Sequence, residues 1–283
     1  MERAYIEITN ICNLACSFCP GTRRPPRRMS CAEFALVCER LAPHTREIFL
    51  HLMGEPLTHP ELDELLTIAE EYGLTVNITT NGTLLASRGD ILLKHAKNIR
   101  KVSISLHSEE ANDKVRQNER HLADAILFAK KASACGIFAI LRLWNLDSAE
   151  REGQNDANDA ILARLHEQYP DEWQKRHSGW RIGERTFLEC AEIFTWPIES
   201  KAEPIVCGRC YGLVRQIGVL VDGTVVPCCL DSEGEIPLGN LFTTPLADIL
   251  ASERATRMRD GFAGQKMTEE LCRRCTYARR FTT

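Results

Sequence analysis

Between residues 4 and 143 the chain alternates short apolar runs with stretches of helical character, and this alternation narrows the fold more than any other feature. The runs are Ala4–Ile8, Glu47–Leu52, Leu74–Thr79, Lys101–His107 and Ile137–Leu143. Helical stretches fall between them at 31–41, 61–72 and up to about Lys97, and two charged helical segments precede the fifth run. Strands separated by helices of ten or more residues imply βαβ units, so an α/β fold with a parallel sheet is expected. A sixth strand is expected near Arg185–Glu189. In such folds ligands gather at the C-terminal ends of the strands, which here carry Gly54, Glu55, Thr80, Asn81, Ser105 and Arg142. Thr80-Asn81-Gly82 also reads as ordinary turn chemistry, and the Arg142 guanidinium beside an apolar run asks for an anionic partner, either a ligand or a structural carboxylate. His51, His59 and His107 lie near the same rim and read as packing or turn residues.

Directly after the first run, Cys12, Cys16 and Cys19 fall within eight positions. Thiolates are the ligands that soft metals and iron–sulfur clusters select, and a cubane held by three cysteines keeps one iron open to another ligand. A structural zinc takes four ligands, usually as two separated pairs; this loop offers three at unequal spacing with no histidine near, which disfavours zinc or chance clustering without removing either.

The loop Cys12-x3-Cys16-x2-Cys19, with aromatic Phe18 before the last cysteine, resembles the signature of the radical S-adenosylmethionine (radical SAM) enzymes. Met53-Gly54-Glu55-Pro56 resembles that family's Gly-Gly-Glu-Pro turn, with Met53 in place of the first glycine. The resemblance implies an open, partial (β/α)6 TIM-type barrel. It further implies a [4Fe–4S] cluster on Cys12, Cys16 and Cys19, and S-adenosyl-L-methionine held by Phe18, Gly54, Glu55, Thr80, Asn81, Ser105 and Arg142. In this family the cofactor is cleaved to a 5′-deoxyadenosyl radical that abstracts hydrogen from substrate. A flavodoxin or ferredoxin is the implied electron donor.

A second cysteine group follows a proline-interrupted linker around residues 196–204. Apolar runs flanking Asp222-Gly223 predict a hairpin, and a helix is predicted from about Leu246 to Met258. Cys210, Cys228, Cys272 and Cys275 supply four thiolates, enough for a fully ligated cluster or for a structural zinc. Their spacing is similar to the C-terminal SPASM/twitch extension of radical SAM enzymes. With no cysteine after Cys275, the shorter twitch form with one auxiliary [4Fe–4S] cluster is the better match, as in members that oxidise an alcohol. The expected domains are therefore 1–200, a radical SAM partial barrel, and 201–283, a small hairpin-plus-helix iron–sulfur domain. Cys207 and Cys229 remain as alternate ligands, while Cys31, Cys38, Cys135 and Cys190 read as small buried hydrophobes.

Composition bounds the partners. A net charge of −4 argues against nucleic acid, and the cluster Arg23–Arg28 reads as a solvated loop. No apolar stretch approaches a membrane span, and Met1-Glu2-Arg3-Ala4 leads into a strand rather than a signal peptide, so a cytoplasmic location is expected. Thirteen cysteines in a reducing compartment read as metal or redox sites. The expected activity is oxidation of a small polar metabolite, with a peptide- or protein-modifying maturase as the alternative within the class. A non-enzymatic metal-binding interaction protein is the alternative outside it.

Overall fold

The computed structural model describes residues 1–108, 112–116, 120–146, 156–193 and 195–281. Strands β1 (Arg3–Ile6), β2 (Glu47–Phe49), β3 (Thr75–Thr80), β4 (Ile99–Ser105) and β5 (Phe138–Leu146) occupy the five apolar runs. Helices α1 (Cys31–Leu41), α2 (Leu62–Glu71), α3 (Leu85–Lys94), the single turn α4 (Asp113–Arg116) and α5 (His121–Ala134) lie between them. After α6 (Asp156–Gln168) come β6 (Gln174–Arg176), β7 (Gly179–Arg181) and β8 (Thr186–Glu192). The C-terminal part holds β9 (Gln216–Val219), β10 (Thr224–Val226), β11 (Gly239–Asn240), α7 (Leu246–Ala251), α8 (Glu253–Ala263) and α9 (Glu270–Arg273).

Contacts group these elements into two compact units. The first comprises residues 1–13, 18–75 and 194–283. In it β1 pairs in parallel with both β2 and β9, and β9, β10 and β11 continue as an antiparallel meander. The C-terminal hairpin is thus hydrogen-bonded to the first strand of the chain. Helix α1 begins where the sequence says it should: Ser30 Oγ accepts from Glu33 N while the Glu33 carboxylate accepts from Ser30 N, a capping box. Its Phe34, Val37, Cys38 and Leu41 are buried, one apolar stripe at helical spacing.

The second unit comprises residues 14–17 and 76–193. There β3, β4, β5 and β8 run parallel, and β8, β7 and β6 form an antiparallel meander. The α/β class and the mostly parallel sheet match the expectation. The segment 174–181 is a short hairpin whose first strand is wholly exposed, so no apolar alternation marks it in the sequence. Residues 147–155, where the polar stretch after β5 begins, lie outside the described residues.

One expected helix is two. Ser252 has an extended backbone (φ −58°, ψ 152°), and its Oγ accepts from Ala255 N, so it ends α7 and starts α8 as an N-cap. Among the described residues no helix is long and apolar enough to cross a membrane.

Candidate metal and cofactor site

The cysteine loop leaves β1 and returns to α1 with its neck closed by backbone and short side chains. Asn10 Nδ2 donates to Pro25 O and Asn10 Oδ1 accepts from Arg27 N, while Thr9 Oγ1 donates to Arg27 O. Beyond this neck Cys12 and Cys19 are exposed and Cys16 is half-buried. Phe18 is exposed as well. Partial burial raises the Cys19 thiol, partly offset by the Gly21 backbone N–H and reinforced by Glu199.

Gly54 and Glu55 are pinned to this loop. Gly54 has φ +75°, and a Cβ there would stand 2.3 Å from Thr9 O, so only glycine fits. Glu55 N donates to Ile11 O at 3.0 Å, directly before Cys12. The Glu55 carboxylate is buried and accepts from Leu57 N, capping the short turn Pro56–Thr58. Met53, where the family turn has glycine, is buried with Leu52, Leu220 and Val226, so its side chain serves packing in the same unit.

In the second unit the strand-end residues are engaged within the protein. Thr80 Oγ1 accepts from Gly82 N, and Asn81 Oδ1 accepts from Thr83 N and Thr83 Oγ1. Those are the turn contacts named as the alternative role. Ser105 O accepts from Ser108 Oγ. Arg142 lies 3.5 Å through Nε from a Glu189 carboxylate oxygen, donates through Nη1 to Thr79 Oγ1 and stacks over Trp144 at 4.3 Å. Its anionic partner is therefore a carboxylate of β8. His107 is buried, with Nδ1 3.1 Å from Arg142 O. Burial lowers its pKa to about 4, and the nearby Arg142 charge acts in the same direction, so the ring is neutral at physiological pH.

The second thiol group is a pocket. Cys210, Cys228, Cys272 and Cys275 line one hollow with apolar walls from Pro197, Pro227, Leu230, Ile236, Met267 and Leu271. Burial raises all four thiols, and the proximity of the sulfurs raises Cys228, Cys272 and Cys275 further. Four soft donors converging in an apolar hollow fit a fully ligated cluster, and the three thiols of the exposed loop fit a cluster with one open iron. Cys207 is exposed. Cys229 packs against the Leu52, Met53, Leu220 and Val226 cluster beside Tyr5 and Trp196, and burial pushes it up to about 12. Cys31 and Cys135, read as buried, are half-buried and exposed.

Sequence reading missed Arg24. It expected the Arg23–Arg28 run to be solvated, yet Arg24 forms a two-pronged ion pair with Glu7, a fully buried side chain directly after β1. The signal would have been Glu7 itself, a charge inside the apolar run Ala4–Ile8, which requires a partner.

Residues 6–143 match the Radical SAM superfamily, and residues 210–276 match the SPASM iron–sulfur cluster-binding domain. The chain thus carries a Radical SAM domain over just under half of its length, followed by a SPASM domain. These domains imply [4Fe–4S] clusters and S-adenosylmethionine as its cofactors.

Among curated relatives, the sporulation killing factor maturation protein SkfB of Bacillus subtilis is 24% identical over 280 residues, covering 90% of this chain and 66% of SkfB. The chain spans two thirds or less of the length of the first curated relatives it matches. Among solved structures, BtrN in complex with AdoMet and 2-DOIA superposes with a TM-score of 0.60 at 18% identity, covering 97% of this chain and 92% of BtrN. Streptococcus suis SuiB bound to the precursor peptide SuiA superposes at 0.57 with 14% identity, covering 96% of this chain and 70% of SuiB. These likenesses establish a shared fold.

Proposed function

We propose that the chain is a radical SAM oxidoreductase that dehydrogenates a small polar metabolite. The observation that carries this reading is the closed set of four thiols, Cys210, Cys228, Cys272 and Cys275, around one apolar pocket. A cluster so ligated has no position left for substrate, which suits it to take up an electron rather than to bind the reacting molecule. When bound, the cofactors would supply reductive cleavage of S-adenosylmethionine to a 5′-deoxyadenosyl radical, hydrogen abstraction from substrate, and a sink for the remaining electron.

The chain's own residues would hold and orient these groups. Cys12, Cys16 and Cys19 would hold the catalytic cluster. The Gly54–Glu55 backbone, tied to Ile11 beside Cys12, would meet the amino group of S-adenosylmethionine. Phe18, Thr80, Asn81, Ser105 and Arg142 complete the proposed cofactor set, with Thr80 and Asn81 shaping the strand-end turn and Arg142 held by Glu189. The proposed functional division falls near residue 200, and a flavodoxin or ferredoxin would supply electrons.

A second reading, a peptide-modifying maturase, is favoured by the extent of the likeness to SkfB along 90% of the chain. The experiment that separates them uses anaerobically reconstituted protein and reductant with C-deuterated polyols and amino sugars in one series and deuterated peptides in another. Deuterium in 5′-deoxyadenosine together with a product lighter by two hydrogens in the first series supports the dehydrogenase. Transfer only from peptides replaces it with the maturase. Zinc in place of the second cluster would overturn the electron-sink role.

A further inference from the structure

The loop that carries Cys12, Cys16 and Cys19 is bracketed by two charges, Glu7 five residues before Cys12 and Arg24 five residues after Cys19. They meet in a two-pronged ion pair, Arg24 Nη1 to Glu7 Oε2 at 2.7 Å and Nη2 to Oε1 at 2.6 Å. The Glu7 side chain is fully buried and that of Arg24 is 14% exposed. Such a pair is poor evidence for stability by itself, because desolvating two charges offsets most of their attraction. What it does supply is direction, since a guanidinium fork fixes both distance and plane.

Both partners then reach into the C-terminal segment of the same compact unit. Glu7 Oε2 also accepts from Val221 N at 3.0 Å, just beyond β9. Arg24 Nε donates to Ser232 O at 3.0 Å. The neighbouring Asp231 lines the thiol pocket, and its carboxylate accepts from Glu235 N and Ile236 N at 2.8 and 2.9 Å. Ile236 lines the same pocket. One residue along, Arg23 N donates to the Glu233 carboxylate. Hydrogen bonds joined by single steps along the backbone therefore connect the neck of the cysteine loop to the pocket wall, with the ion pair at their centre.

We propose that Glu7 and Arg24 are positioning residues that fix the neck of the catalytic-cluster loop against the wall of the second thiol pocket. Small misplacements of reacting groups cost large factors in rate, so a fixed neck matters at the first thiol site whatever the second one binds. The proposal needs only the two thiol sites and does not rest on the second one acting as an electron sink. It therefore survives if the dehydrogenase reading fails.

The test is hydrogen–deuterium exchange by mass spectrometry on anaerobically reconstituted protein, with electron paramagnetic resonance of the reduced catalytic cluster. The variants are Arg24→Met, the double variant Glu7→Met with Arg24→Met, and Arg24→Lys. Arg24→Met leaves Glu7 buried and unpaired, while the double variant keeps apolar volume and discards both charges. In the double variant the melting temperature should recover, yet exchange should stay roughly tenfold faster than wild type in peptides covering both 9–29 and 219–236. The cluster signal should be broadened there and partly restored in Arg24→Lys. The double variant answers the question even if Arg24→Met does not fold. Faster exchange confined to 9–29, or full protection of both peptides in the double variant, would overturn the proposal.

Discussion

The two cysteine sites are built on opposite physical terms. At the first, exposed or half-exposed thiols sit on a loop whose precision comes from its neck: Asn10, Thr9, Gly54 and Glu55 fix the entry and exit, and the thiols project beyond them. At the second, four half-buried thiols line one hollow, and precision comes from its apolar wall. An exposed three-thiol site keeps room for a further ligand and must be reached by cofactor and substrate. A set of four half-buried thiols against an apolar wall can ligate a cluster fully and leave no iron open. One chain thus offers an exposed set of three thiols, which leaves a cluster one open position, and a half-buried set of four, which leaves none.

The largest effect should come from replacing Cys12, Cys16 and Cys19 together by alanine. This should abolish 5′-deoxyadenosine formation while leaving about four of roughly eight irons per chain. Iron loss from both sites, measured by metal analysis, would break the comparison, since the two would then not assemble independently. Next, Cys228→Ser should remove the other four irons, lower the melting temperature and leave cofactor cleavage running without coupled product, as seen in the ratio of the two by liquid chromatography. Persistence of full iron loading would move the pocket's fourth ligand elsewhere. Third, Gly54→Ala forces a Cβ to 2.3 Å from Thr9 O and a positive φ on an L residue. It should destabilise by about 3 kcal/mol, a melting shift of roughly 6–12 °C, and should disturb the first cluster's spectrum but not the second's. Smallest, Cys207→Ala should leave iron and stability unchanged, and Cys229→Ala should cost about 1 kcal/mol of packing with iron content intact. Iron loss in either variant would enlarge the ligand set.

How much of this was legible in the sequence follows from the range of the forces involved. Strand and helix alternation is a local pattern and it read correctly, and the cysteine spacing, also local, pointed to the two domains found. The partners of Arg142 and Arg24 are not local: Glu189 lies 47 residues from Arg142, and Ser232 lies 208 from Arg24. No window on the sequence can pair them. Met53 is similar, since its departure from the family turn makes sense only beside Leu220 and Val226. The break at Ser252 was local but weak, because a serine inside a helical pattern signals a cap only when the backbone around it opens.

The pairing of β1 between β2 and β9 also bears on how the chain is made. On the ribosome, β1 can meet β2 once about fifty residues have emerged, but its other edge waits for residues 216–219. At a synthesis rate of roughly 5–20 residues per second, that edge stays bare for about 10–40 s. Its unpaired amides and carbonyls are a template for the wrong strand during that interval. Misassembly in overexpressing cells should therefore centre on the nascent amino-terminal half, and slower growth or chaperone supply should raise the soluble yield more than any change to the cysteine sites.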